Sequence, residues 1–308
     1  MARASSAAPA PRRGSLAARR RRFAYALLAP AVIAVAGLIG YPLYLLAAMS
    51  LREGKSLNFL AMNRQPLGLG NYAAVLTDAA TWHSAGVSLA YTAGAVIPAF
   101  LIGLFTALLL NRAFPFRRWL RSLMLLPWAV PGVMVSIVFL WLFDPSFGVV
   151  NALLRNAGLV SRDVAWYTDE STALFAVIVP TIWKSYPFFT LTLLAALQAV
   201  PADLYEAAGM DGAGRWQAFR YVTWPGIRNA ATLALVLQGL WVFREFDIIY
   251  AATGGGPAKA TETLGLRAYN EAFGYFNMGK AAVVGMLMLA IALVGVLLAR
   301  KPLSKEFF

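Results

Sequence analysis

The chain has 308 residues, 60% hydrophobic and only 13% charged, and its 27 basic residues outnumber 14 acidic ones for a net charge of +13. A soluble domain carries about 25% charged residues, so this composition excludes an ordinary soluble globule, and so large an apolar fraction excludes intrinsic disorder. No cysteine and a single histidine, His83, exclude a disulfide framework, a thiolate metal site and a Cys/His catalytic pair.

Residues 1–22, rich in Ala, Pro, Ser and Arg, read as a disordered basic cytoplasmic tail. Residues 23–51 then run without a charge, enough to cross a bilayer, which takes roughly 20 apolar residues. Arg19 to Arg22 before that run have the outline of a secretory or twin-arginine signal. The run is too long for a signal h-region, and five more follow. These lie at 84–110, 122–143, 171–200, 229–252 and 281–299. The expected fold is all-α and polytopic, with six transmembrane helices. Residues 23–83 hold the first helix and an external loop. Residues 84–299 form a five-helix core that includes a cytoplasmic loop at 201–228, and 300–308 form a C-terminal tail. The runs contain Pro30, Pro42, Pro98, Pro127, Pro131, Pro180 and Pro187. Membrane helices tolerate such prolines because neighbours re-satisfy the freed backbone groups.

Six spans put both termini on one side. With the N-terminus inside, seventeen basic residues fall on inner segments and eight on outer ones. The positive-inside rule therefore places both termini of this multi-pass protein in the cytoplasm. Arginines that flank spans are explained by insertion polarity and lipid headgroups. Membrane lipids are the expected contact of these charges, and nucleic acid is not.

Between the fourth and fifth spans, Pro201 with Asp203 signals a helix start, and Asp211-Gly212 signals a turn that closes it. An amphipathic stretch anchored by Trp216, Phe219 and Tyr221 follows. The expected result is a helix–turn–helix on the inner membrane face. It serves either as an interfacial cover for the helix ends or as a docking element. For docking, the small residues Ala207, Ala208, Gly209, Gly212, Ala213 and Gly214 would let it sit deep in a partner's groove, with Glu206 and Asp211 orienting it.

The order Glu206-Ala207-Ala208, Gly212, Val222 and Trp224-Pro225 resembles the EAA loop of ABC-importer membrane subunits. Val222 and Trp224 stand where that pattern has Ile and Leu. Five further segments resemble the binding-protein-dependent carbohydrate permeases. These are Ala29-Pro30-Ala31, Gly68 to Tyr72, Leu125 to Gly132, Trp141 to Pro145 and Thr253 to Pro257. The resemblance runs from about residue 23 to the end and is strongest to subunits typified by the larger maltose-permease subunit and the first glycerol-3-phosphate permease subunit.

The resemblance implies a multi-pass protein of the bacterial cytoplasmic (inner) membrane with an ABC importer type I permease fold, in which the loop is a coupling helix docked on an ATPase. The implied partners are a second homologous permease subunit, two ATPase subunits carrying ATP and magnesium, and an external or periplasmic solute-binding protein. The implied substrate is a sugar or sugar derivative. Glycerol-3-phosphate or another non-sugar solute is the alternative within the class. An ion-coupled secondary transporter is the alternative outside it, expected to show an internal repeat that the sequence does not display. The sequence has no Gly-x4-Gly-Lys-Ser/Thr loop. No cofactor, metal or catalytic residue is therefore expected in this chain, which is read as a transport subunit and not an enzyme.

Charges inside spans mark functional sites by default. The fourth span carries Trp183, Lys184 and Tyr186. The fifth carries Gln238, Trp241, Arg244, Glu245 and Asp247, with Gln238, Trp241 and Glu245 on one helix face by their i, i+3, i+7 spacing. These residues are expected to line the substrate pathway. The competing reading pairs Lys184 and Arg244 with Glu245 or Asp247, or lets Lys184 and Asp247 snorkel to the outer interface. His83 is expected to be interfacial. Gly254, Gly255, Gly256 and Pro257 form an external, flexible turn, suited to contact with the solute-binding protein or serving as a plain turn.

Overall fold

The computed structural model describes residues 13–54 and 64–303 of the chain. Helices α1 (Arg13–Val35) and α2 (Tyr41–Ser50) join through a π-helical turn at Ala36–Gly40. Next come α3 (Gly70–Leu76) and α4 (Ala79–Leu110), then α5 (Arg117–Leu123), α6 (Leu126–Ala129) and α7 (Gly132–Leu142). The chain continues through α8 (Val149–Asn156), α9 (Glu170–Gln198), α10 (Ala202–Met210) and α11 (Arg215–Ala218). It ends with α12 (Trp224–Phe243), α13 (Asp247–Thr253), α14 (Leu264–Tyr269) and α15 (Met278–Leu303). Five continuous helical segments are long and apolar enough to cross a membrane, and a bent pair makes a sixth.

The core is the packing of α4, α9 and α12 against one another. Tyr91, Leu110, Val177, Phe189, Leu193 and Ile227 are fully buried there. Apolar surface drives little association inside lipid, so close backbone approach and hydrogen bonds between helices take over. Gly103 supplies the approach. A Cβ at this position would overlap that of Phe189 and come within 3.0 Å of the Thr190 backbone. Hydroxyls supply the bonds: Tyr91 pairs with Thr181 at 2.5 Å and Thr106 with Thr190 at 2.6 Å. Pro180 removes the N–H that the Ala176 carbonyl would have received. The Tyr167 hydroxyl donates to that carbonyl instead, at 3.3 Å, and burial pushes the Tyr167 phenol above its ordinary pKa.

Helix α15 closes the outside of the bundle against α2, α3, α12 and α14. The Gly68–Tyr72 segment fixes this seam. Buried Asn71 donates to the carbonyl of Arg52 at 2.7 Å, and the Tyr72 hydroxyl lies 2.8 Å from that of Ser50.

Four expectations change. The run at 122–143 is not one straight span, because the helix breaks between α6 and α7 with a 96° bend. Val130 precedes Pro131 and is extended (φ −77°, ψ 130°), as the pre-proline clash requires. The fifth span is not 229–252. It begins at Arg215, passes a π-helical turn at Phe219–Thr223 and stops at Phe243. The charges at 244 and 245 favour leaving the helix, and α13 restarts at Asp247. The basic tail expected to be disordered through residue 22 is helical from Arg13, since Arg, Ala and Leu are good helix formers. Its residues 1–12 lie outside the described residues. The C-terminal tail expected at 300–308 overlaps α15, which continues to Leu303, and 304–308 lie outside the described residues.

Candidate functional site

Three groups of residues carry the candidate function, one at each end of the bundle and one within it. At the inner end, α10 and α11 form the expected helix–turn–helix. Asp203 lies in the first turn of α10, and Gly212 turns the chain with φ +77°, a left-handed value that L side chains adopt only at a cost. Gln217 reaches back to the Gly214 N–H at 2.8 Å and starts α11. Glu206, Ala207, Gly209, Asp211 and Gly212 are exposed and Ala208 is half-buried. Nothing lies within 4 Å of a Cβ built at Gly209 or Gly212. Met210 beside them is 85% exposed. The Tyr205 hydroxyl, 3.1 Å from that of Thr223, ties the pair to the base of the fifth span.

Within the bundle, the fourth and fifth spans meet through polar and aromatic side chains. Gln238 is 6% exposed and donates to the Ser185 hydroxyl at 2.8 Å. Its carbonyl oxygen has no hydrogen-bond partner among the described residues. Trp241 meets Phe188 edge to face at 5.1 Å, and Trp183 leans on Phe139 at 5.8 Å. Tyr186 is half-buried against the main core.

The remaining residues of this group make other contacts. Glu245 does not share a helical face with Gln238 and Trp241, because α12 ends two residues before it, and its carboxylate accepts from the Ile248 N–H at 3.4 Å. Arg244 and Asp247 are exposed at the break. The competing reading, which paired Lys184 or Arg244 with a carboxylate, is not met as an ion pair: among the described residues neither lies within 4.0 Å of one. Arg244 returns to the Leu240 carbonyl at 3.2 Å. Lys184 donates to the Val130 carbonyl at 2.5 Å, an oxygen left open where the third span breaks. The sequence could not show this role, since 54 residues separate the partners.

At the outer end, the glycine loop is packed rather than flexible. Gly254 ends α13 with φ +57° and Gly255 follows with φ +95°. Gly255 is buried, and a Cβ there would come within 2.8 Å of Leu266. The Thr261 hydroxyl donates to Gly256 at 2.8 Å and lies 2.7 Å from that of Thr253, closing the loop over Pro257.

Sequence reasoning missed the cluster beneath this loop. Arg267, 8% exposed, pairs with Asp78 and with Glu262, the latter at 3.4 Å. Glu262 also accepts from Ser84 at 3.2 Å and from Asn270 at 3.3 Å. The Leu264 N–H donates to Ser88 at 2.8 Å, and His83 lies 3.3 Å from the Lys259 carbonyl. The first three turns of α4 thus hold 259–270 in place. The only sequence signal was Asp78, a helix-capping residue ahead of the second span, whose carboxylate accepts from the Ala80 N–H at 3.0 Å.

Comparison with known proteins places this arrangement. The family described as "Binding-protein-dependent transport system inner membrane component" matches residues 99–301. The chain is 38% identical over 213 residues to the trehalose/maltose transport system permease protein of Thermococcus litoralis, covering 69% of this chain and 70% of that protein. It is 35% identical over 271 residues to the diacetylchitobiose uptake system permease protein of Streptomyces coelicolor, covering 87% and 83%. Its fold matches a chain of a bacterial alginate ABC transporter solved with an alginate pentasaccharide-bound periplasmic protein. That match has a TM-score of 0.76 at 23% identity and covers 94% of this chain and 98% of that one.

Proposed function

The chain belongs to the family of inner membrane components of binding-protein-dependent transport systems, and from that premise we propose that it forms one half of a sugar pathway. It is a multi-pass permease subunit of an ABC importer and not an enzyme. The solute is a sugar or sugar derivative, as the names of the maltose and diacetylchitobiose relatives suggest. The partners are a second permease subunit, two ATPase subunits that bind ATP and magnesium, and an external solute-binding protein.

The observation that carries this reading is the inner helix–turn–helix. Exposed apolar or small surface at the end of a membrane protein marks a protein contact, and α10 leaves its glycine-rich turn uncovered by its own chain. An ATPase dimer that closes on ATP would move α10. Through Tyr205 and the π-helical turn, that motion reaches α12 and tilts the bundle between inward- and outward-open states. Gln238, Trp241, Trp183 and Tyr186 are our choice for contacts along the pathway, since sugars take planar hydrogen-bonding groups beside aromatic faces. The unpartnered carbonyl of Gln238 supports that choice. The 254–257 loop, held rigidly from below, is our choice for contact with the binding protein.

The test is uptake by the assembled importer in vesicles. Glu206→Lys and Gly209→Leu are expected to insert and assemble normally while ATP-driven uptake falls at least tenfold. Uptake at the wild-type rate in both variants would remove the coupling assignment.

A further inference from the structure

Where the inner helix pair meets the spans, an open cleft of about 880 Å³ separates α11 from the ends of α4 and α9. Its lining changes character along its length. Leu108, half-buried in the last turn of a spanning helix, gives the cleft an apolar side together with Ala218 and Phe219, while Leu197, 3% exposed, belongs to its buried floor. Beside them are Asn111, Arg112, Arg215 and Trp216. Both arginines are exposed, and among the described residues neither guanidinium has a carboxylate within 4.0 Å. Trp216, 70% exposed, stacks on Phe219 at 5.6 Å and offers its other face outward.

We propose that this cleft holds an anionic phospholipid of the cytoplasmic leaflet, with its phosphate at Arg112 and Arg215 and its acyl chains along Leu108 and Phe219. Guanidinium forks match phosphate oxygens in charge and geometry. Tryptophan is the residue of choice at headgroup depth, and the cytoplasmic leaflet supplies the anionic lipid. A water-soluble subunit docked on α10 would account for the arginines, whereas an apolar side that begins in the last turn of a spanning helix, at Leu108, suits an acyl chain. An amphiphile fits both ends of the cleft. Such a lipid joins α11, which moves with the coupling loop, to the end of α4, so bilayer composition acts on the same element that the ATPase pushes.

The proposal is independent of which solute is carried. Its test is native mass spectrometry of the whole assembled importer after exposure to phosphatidylglycerol or phosphatidylcholine. Wild type is expected to retain phosphatidylglycerol preferentially. Arg112→Ala/Arg215→Ala is expected to reduce that retention about tenfold or more, the scale of losing charge-assisted hydrogen bonds. Arg117→Ala/Arg118→Ala, on the exposed helix α5, is expected to leave it unchanged. A photo-crosslinker replacing Trp216 in an otherwise wild-type complex is expected to capture lipid, so the answer does not depend on the double variant assembling. Equal retention of the two lipids, or undiminished retention in Arg112→Ala/Arg215→Ala, overturns the proposal. So does displacement of the lipid by inorganic phosphate alone, which would mark a free-anion site, or a crosslink to the ATPase or the second permease subunit.

Discussion

The outer and inner ends of the bundle use glycine in opposite ways. Outside, Gly255 sits against Leu266, and a Cβ at Gly279 would lie 2.5 Å from the Arg52 carbonyl. These glycines let the chain's own segments close on one another. Inside, Gly209 and Gly212 have empty surroundings, and no ion pair among the described residues involves Glu206 or Asp211. One end is finished within the chain and the other is left for a partner. Substitutions should therefore cost stability at the outer end and function at the inner end.

The strongest way to break that contrast is Arg267→Ala. Removing one member of a buried charged group strands Glu262, at a cost of about 3–5 kcal/mol. Thermal unfolding of the purified complex should show a large drop in Tm, and an unchanged Tm would mean the outer cluster holds nothing together. Gly279→Val comes next, because overpacking costs about 1–3 kcal/mol. It should lower Tm by less than Arg267→Ala and loosen α15 from α3.

The same experiment at the inner end sharpens the comparison. Gly209→Leu meets only open space, so Tm should stay within about 0.5 kcal/mol equivalents of wild type while ATP-driven uptake is lost. A large fall in Tm there would show that α10 is buried by its own chain after all.

The smallest effect belongs to Asp169, the cap of α9. Hydrogen bonds from the Ser171 hydroxyl and N–H, aided by Arg162, hold its carboxyl below the ordinary value. The stabilisation is therefore full above the unfolded pKa and is lost as pH falls through the lower folded one. Asp169→Asn should slightly flatten the acid side of the Tm–pH curve, and an identical curve would show that the cap contributes nothing.

Hydropathy made most of the fold legible because a span announces itself by length. The breaks were harder. Pro131 was visible in the sequence, but whether the helix would bend there depended on a donor for the Val130 carbonyl, and that donor came from another span. The end of α12 at Phe243 was obscured because the charges at 244 to 247 could equally have lined a continuous helix. At the inner end, local signals sufficed: Asp203, the Asp211-Gly212 turn and the small residues between them lie within a dozen positions. The outer cluster joins Asp78 to Arg267 across 189 residues, and no local pattern encodes such a pairing.

The bond from Lys184 to Val130 also orders events during synthesis. The third span leaves the ribosome with an open carbonyl at its bend, and the amine that satisfies it emerges 54 residues later. At roughly 5–20 residues per second that interval lasts seconds. Until then the bent segment has to borrow water, lipid headgroups or the insertion machinery for its missing donor.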